Sequence, residues 1–580
     1  MIPCLPQRDA QPDRRAAAVA SDRVRYRLDR SLHGLPFPTD LPAEERFDLR
    51  FFSSQARLNA DVLRNAAQAR IEIARTRGVN PRGIAKGLLD RLRTVELRAI
   101  WEDPVERRRI PEWDERDPLT VGEHRHTLQT LPHPPMVTRW QDDDFFAWQR
   151  IAGMSPVLLT HLPSANVAVR LRELRAQAPG YAAVYPDDSL EAAGQDGRLF
   201  VHDLEILDGI SYGPAHGFRK FLGAPIGLFA LSPDRARLRP VAIRCEREGD
   251  WFDPAGGAGW QMAKTWFQAA DSAYHGMVEH ATLCHIVIGG LGVCAYRTLA
   301  PNHPIRCLLR PHLDLTLAID EATRGLFEAG GRAPTLQGFD LHGGIALAQR
   351  ALQQFDWWAR TPPREFSDRG VLESSVLPEY PYRDDILPYW DALLTFVDHA
   401  LSMHYVSDDD VASDPELQAF LDELRSDDCM GIASIGVVED RETLIQFLAS
   451  VLWRASPYHA VINYGVWPFM GFAAGGPTAS YAPAPKGGTT YDAVDHLLML
   501  PPLDQVLRQI ADVWPVGHTR LNRLGQYAPG ALGDPRAEEA VAGLQMALER
   551  LERQIHERNR SRLVPYELLL PSLVTASIHI

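Results

Sequence analysis

A mainly α-helical fold, built as one large unit with small β-sheet subregions, is what the 580-residue sequence predicts. Three observations carry that reading. Apolar residues recur at a helical period over 260–299, 313–328, 386–405, 414–426, 441–465, 501–514 and 535–558. Strand-like runs are confined to two short stretches in the first half. No internal repeat and no linker able to separate two domains is present. Hydrophobic residues make up 45% of the chain and aromatics 9%, ample for a large core and unlike a disordered composition.

Taken in order, residues 1–40 are polar and rich in proline and arginine, and read as a loosely packed arm. Ala43 to about Arg77 has a helical pattern with many small alanines. Residues 104–145, rich in charge and proline, read as irregular. DGRLFVHDLEILDGI (196–210) and PIGLFALSPDRARLRPVAIRCE (225–246) read as short strands, the second broken by a turn at Ser232-Pro233-Asp234. Helix dominates from Trp260 onward, interrupted by glycine- and proline-rich breaks at 330–334, 361–370 and 471–488.

The formal charge of −14, with no dense basic block, argues against nucleic acid as a main partner. Lysine is confined to Lys86, Lys220, Lys264 and Lys486 against 57 arginines, a bias typical of a GC-rich, bacterial genome. The six cysteines show no CxxC spacing and are expected to be reduced thiols, with Cys294 and Cys307 buried. The start, MIPCLPQRDAQPDRR, lacks the apolar stretch of a secretory signal, and no run reaches 18 apolar residues. A cytoplasmic monomer without a transmembrane segment is the expectation.

The stretch YHGMVEHATLCH (274–285) places His275, His280 and His285 at intervals of five. In an ordinary α-helix, positions five apart point about 140° away from each other. A lone histidine on an apolar helix is more often a hydrogen-bonded core residue than a ligand, and the zinc-protease spacing HExxH is absent. A π-helical turn, however, brings such positions to within about 50°, and π turns cluster at functional sites. HAVIN, in which His459 and Asn463 share one helix face, adds an imidazole and a carboxamide. That donor set suits a borderline first-row metal such as iron.

These residues sit in blocks that resemble the lipoxygenase family. GWQMAKTWFQAADSAYHGMVEHATLCH (259–285) is similar to its iron-binding helix, and HPIRCLLRPHLDLTLAID (303–320) to its HP…LL.PH signature. RWQDDDFFAWQRIAGMSP (139–156), DGRLFVHDLEILDGI, YPYRDDILPYWDAL (380–393), PTASYAPAPKG (477–487) and VPYELLLPSLVTASIHI (564–580) extend the likeness from residue 139 to the end.

The resemblance implies a lipoxygenase-type catalytic domain over 111–580, with the arm and helices of 1–110 preceding it in place of the β-barrel found in many members. The helices of 43–77 fit either a lid over the substrate channel or plain core packing, and packing is preferred. It implies one non-haem iron held by His280, His285, His459, Asn463 and the main-chain carboxylate of Ile580, with manganese compatible with the same ligands. His275 would stand behind the ligands. The implied reaction removes hydrogen from a methylene between two cis double bonds of a polyunsaturated fatty acid, of the linoleate or arachidonate class, and adds O2 to give a hydroperoxide. No catalytic side chain is implied beyond a hydroxide on the metal. The alternatives are a fatty-acid hydroperoxide isomerase of the same fold, or a catalytically quiet lipid-binding protein that keeps its iron.

Several positions depart from the family pattern. Gly276 stands where glutamine or glutamate is usual, and Val466 where a further glutamine is usual, so an outer hydrogen-bond network is altered. Pro457 replaces a helix former just before His459 and is expected to kink or restart the helix. Gly476 leaves no arginine for a substrate carboxylate, and Ala576 replaces a common asparagine. Thr323, Leu326 and Phe327 are the expected substrate-contacting residues. Thr323 is larger than the usual alanine or glycine, and Phe327 replaces leucine. Both are expected to shape which carbon and which face receive oxygen.

Overall fold

Gly257 adopts φ +58°, a conformation that costs glycine little, and turns the chain from the sheet into a helix that runs unbroken from Ala258 to Thr298. Everything that positions the site is arranged around that rod. The structure, a computed structural model, describes residues 2–79, 117–163, 178–214, 217–328 and 336–580.

The N-terminal stretch is more ordered than its composition predicts. Helix α1 (Pro12–Arg25) is followed by an antiparallel pair, β1 (Arg27–Asp29) and β2 (Phe37–Thr39). Buried Arg15 pairs with Glu416 at 2.6 Å and Asp9 at 3.0 Å, and Leu5, Tyr26, Leu35 and Phe37 enter the main core. Charged residues therefore anchor this arm instead of leaving it loose. Helix α2 (Leu49–Thr76) is capped by Asp48, whose side chain accepts from the Phe51 N–H. Its buried residues Phe51, Gln55, Leu58, Val62, Ala66, Ala69 and Ile73 recur at helical spacing along one face.

The expected irregular stretch holds short helices at Val121–Arg125 and Met136–Arg139; its part before residue 117, like the break at 330–334, lies outside the described residues. Helix α3 (Asp143–Ala152) leads to a five-stranded antiparallel sheet of β3 (Thr160–His161), β4 (Leu199–Asp203), β5 (Ile226–Leu231), β6 (Leu238–Arg244) and β7 (Trp251–Phe252), paired in sequence order. β5 is buried on both faces, so it reads as a continuous apolar run.

The rod consists of α4 (Ala258–Tyr274), a π-helical stretch (His275–Ile286) and α5 (Val287–Thr298). It is long and apolar enough to cross a membrane, yet 94% of its most apolar window is buried within the protein, so that apolarity is spent on the core. Against it pack α6 (Thr316–Thr323), α7 (Leu341–Gln353) and α10 (His459–Tyr464); beyond them α8 (Pro381–Leu401) packs on α9 (Arg441–Trp453) and α13 (Ala537–Asn559), and α11 (Val466–Met470) on α12 (Leu503–His518). The break expected at 361–370 instead opens a short helix, Pro362–Asp368, because proline is tolerated in a first helical turn. Cys294 is buried as expected, whereas Cys307 is only partly buried beside Pro3 and Gly533. Among the described residues the fold is mainly helical with two small sheets, as the sequence predicts.

Candidate metal centre

The widened stretch of the rod solves the spacing of the histidines. Within the π-helical His275–Ile286, the Nε2 atoms of His280 and His285 come to 3.2 Å. His275 stacks behind His280, with ring centroids 5.9 Å apart. A second π turn, Arg454–Tyr458, ends immediately before His459 and contains Pro457, whose missing N–H cannot serve an ordinary helical hydrogen bond. The ring of His459 then lies 6.0 Å from that of His280 and 5.7 Å from that of His285. Donor atoms of the three imidazoles all fall within 4.8 Å of one another.

Asn463 joins them from one turn further along α10. Its Nδ2 donates to the Val516 carbonyl of α12 at 2.7 Å, which leaves Oδ1 buried and without a partner. Ile580 lines the same cavity, and its backbone approaches His459.

Burial, reinforced by the neighbouring imidazoles, holds His280 and His459 well below the usual histidine range, so both are neutral and have a lone pair to offer. Burial alone takes His275 down to about 4 against the pull of Asp271 and Glu279. His285 is oriented by Asp320, whose Oδ1 lies 2.7 Å from Nδ1. A proton on Nδ1 donated to that carboxylate leaves Nε2 free to face the cluster. Asp320 is itself pushed up to about 6, because burial outweighs the pull of His285. A Cβ on Gly289 would fall 1.9 Å from Asp320 Oδ2, so the missing side chain at 289 is what admits the carboxylate.

The donor set fits a metal on three counts. Two imidazole nitrogens each about 2.1 Å from one ion at a right angle sit about 3 Å apart, close to the 3.2 Å seen. Neither nitrogen of His459, nor Asn463 Oδ1, has a hydrogen-bond partner. Buried polar atoms of that kind cost about 1–3 kcal/mol each when nothing satisfies them. Nitrogen and oxygen donors without a thiolate suit a first-row ion of intermediate softness.

Glu279 braces the arrangement. It precedes His280, accepts from Tyr274 and from Tyr458, the residue before His459, and pairs with Arg360 at 2.5 Å. Burial raises its pKa, but Arg360 and the two hydroxyls prevail and hold it below the usual carboxylate range. The two π turns are thus tied together one residue ahead of each histidine.

The cluster opens on a cavity of about 340 Å³ whose walls include Ile319, Leu326, Val466, Met470 and Val513. Thr323 lines it, with its hydroxyl occupied by the Ile319 carbonyl at 2.8 Å. Of the three expected substrate-contacting residues, Thr323 and Leu326 reach the cavity and Phe327 does not. α6 ends at Thr323, and Arg324–Phe327 tighten into a 3-10 turn that sends the Phe327 ring onto Phe37, 5.5 Å away. Gly476 is required sterically, since a Cβ there would meet the Phe469 carbonyl at 2.0 Å. Ala576 takes part through its backbone alone, accepting from His312 Nδ1 at 2.9 Å and donating to Asn522.

Sequence reasoning missed Asp320, Glu279, Val516 and Gln337. Asp320, an acid closing the otherwise apolar run LTLAID, carried a readable signal; Val516 contributes only its carbonyl and carried none.

The family model described as lipoxygenase matches residues 252–571. A linoleate 9/13-lipoxygenase of Pseudomonas aeruginosa is 33% identical over 491 residues, which cover 79% of this chain and 70% of that one. The coral 8R-lipoxygenase structure superposes with a TM-score of 0.84 at 23% identity, covering 100% of this chain and 83% of the other. The manganese lipoxygenase of Gaeumannomyces graminis gives a TM-score of 0.76 at 21% identity, with full coverage of both chains.

Proposed function

The chain belongs to the lipoxygenase family, and from that membership we propose that His280, His285, His459, Asn463 and a main-chain oxygen of Ile580 hold one non-haem iron for the oxygenation of a polyunsaturated fatty acid. The carrying observation is the cluster of three imidazoles, within 4.8 Å of one another, at the wall of an apolar cavity. Manganese would suit the same donors, as the manganese lipoxygenase of the fungus illustrates.

Bound there, the ion would supply the one-electron chemistry of the reaction. The chain's own residues do the rest. Asp320 keeps His285 in one tautomer and one orientation, and the Val516 carbonyl keeps the amide oxygen of Asn463 turned toward the imidazoles. Ile319, Leu326, Val466 and Val513 take a hydrocarbon chain out of water, at about 0.8 kcal/mol per buried CH2. They also hold one methylene still against the cluster and exclude solvent from the radical it becomes. That methylene, flanked by two cis double bonds, yields its hydrogen most readily because the resulting radical spreads over five carbons. Thr323, beside the cluster on the cavity wall, influences where O2 meets that radical. Residues 1–110 form a segment ahead of the catalytic domain, with α2 packed along α12 as part of the core.

Incubation of the metal-loaded protein with linoleate tests the reading through conjugated-diene absorbance, oxygen uptake and elemental analysis. Diene formation with stoichiometric oxygen consumption, and iron as the bound metal, is expected. Absence of diene from metal-loaded protein removes the dioxygenase reading. Consumption of a supplied fatty-acid hydroperoxide at low oxygen, without diene from linoleate, marks an isomerase.

A further inference from the structure

Gln337 is out of place in the cavity. It belongs to the short stretch that leads into α7, and its carboxamide lies directly over Gly276 in the π-helical stretch. A Cβ built on Gly276 would fall 2.7 Å from Gln337 Nε2, so any larger residue would displace the amide. Glycine within a helix costs about 1 kcal/mol relative to alanine. Here that cost has a structural counterpart, since the missing side chain is the seat of the amide.

The other end of the amide is unsatisfied. Oε1 of Gln337 is buried and accepts no hydrogen bond. Neighbouring polar groups of the cavity wall are differently placed. The Thr323 hydroxyl donates to Ile319, and the Thr478 hydroxyl to Gln509 at 3.2 Å. Gln509 in turn donates to the Met470 and Gly476 carbonyls at 2.6 and 2.8 Å. What Oε1 lacks is a donor. A plain hydrocarbon chain offers none, and an ionised carboxylate only accepts. A hydroxyl or hydroperoxyl on the middle of a fatty-acyl chain carries the missing O–H.

We propose that Gln337, seated on Gly276, is a recognition residue for oxygenated fatty-acyl chains, the chemical class of this enzyme's own product. This deepens the lipoxygenase reading and rests on it. The cavity then has two kinds of ligand: an unoxygenated chain held by apolar contact alone, and a hydroxylated or hydroperoxylated chain held by the same contacts plus one hydrogen bond. Product is retained longer than substrate, and a chain already oxygenated once is a better occupant than its parent.

The test uses ligands that cannot react. Octadecanoic acid and its mono-hydroxylated isomers, with the hydroxyl at each mid-chain position in turn, are titrated calorimetrically into the metal-loaded protein. At least one isomer is expected to bind about two- to tenfold more tightly than octadecanoic acid, the range of one neutral hydrogen bond. In Gln337→Met, which keeps the volume and removes the amide, that ratio should fall to about one. If the variant does not fold, Gly276→Ala, which pushes the amide off its seat, is held to the same criterion. The proposal is overturned if no isomer exceeds octadecanoic acid in the wild type, or if the preference survives the substitution. Failure here with diene formation from linoleate intact leaves the dioxygenase reading standing; absence of diene overturns both.

Discussion

Replacing Asp320 by alanine should loosen the metal without unfolding the protein. The Asp320 carboxylate meets His285 Nδ1 at 2.7 Å with both groups buried. A hydrogen bond to a charged group contributes about 1.5–3 kcal/mol, which at about 1.4 kcal/mol per decade is a loss of roughly 10- to 150-fold in affinity. Outer partners of metal-bound histidines lose about 10- to 100-fold when removed, in the same range. Asp320→Asn keeps the shape and one acceptor oxygen but drops the charge, and a neutral bond is about half as strong; a loss of about three- to twelvefold follows. Removing a buried carboxylate relieves its desolvation, so the metal-free Asp320→Asn protein should melt no lower than the wild type. Chelator competition under anaerobic conditions gives the metal affinity, and thermal unfolding by circular dichroism gives the stability. A loss below threefold in folded Asp320→Ala would refute the assignment of Asp320 as the group that orients His285.

Gly289→Ala should weaken metal binding in the same direction, because its Cβ would sit 1.9 Å from Asp320 Oδ2 and displace the carboxylate; chelator competition reads this as well. Thr323→Ala should change the ratio of hydroperoxide isomers resolved by chiral chromatography. Phe327→Ala should leave that ratio alone and cost about 3–5 kcal/mol of stability in denaturant unfolding, since its ring packs on Phe37 outside the cavity. Acid should destabilise the fold through His124, which is buried without a partner on either nitrogen and brought down to about 3 by burial. Its folded pKa lies below its unfolded value, so the unfolded chain binds the extra proton as pH falls from about 6.5 toward 3. Between pH 6 and pH 5 the wild type should lose about 1 kcal/mol more than His124→Leu, measured by urea unfolding at the two pH values; equal losses would contradict the sign.

The histidines show how far spacing carries. An interval of five is meaningless on an α-helix and becomes a pair of converging imidazoles once the helix widens, so the motif itself announced the deformation. Thr323 and Phe327 show where spacing stops. Four residues apart, they would share a face of an α-helix, at about 40° from each other. The switch to a 3-10 turn after Thr323 raises the rotation per residue to about 120° and sends the phenyl ring away from the cavity. Nothing local to ATRGLF announces that switch. Arg15 was illegible for a different reason: an arginine in a polar arm gives no sign that its partner is Glu416, 401 positions away. Gln337 combines both limits, since its meaning depends on a glycine 61 residues earlier that reads, by itself, only as a missing side chain.

A π turn is a weak element, because widening the helix opens its axis and spoils its packing, and two of them in one site need a clamp. Glu279 provides it. Standing one residue before His280, it draws in Tyr458, one residue before His459, while Tyr274 and Arg360 complete its shell. Three donors on one buried carboxylate make it costly for either turn to relax to α-helical pitch, because relaxation would leave the charge unpaired in the core. The imidazoles of His280 and His459 can therefore be neutral and convergent before any ion arrives. The two imidazoles thus owe their separation to the buried carboxylate of Glu279, and an ion held there as proposed would not need to assemble its own site.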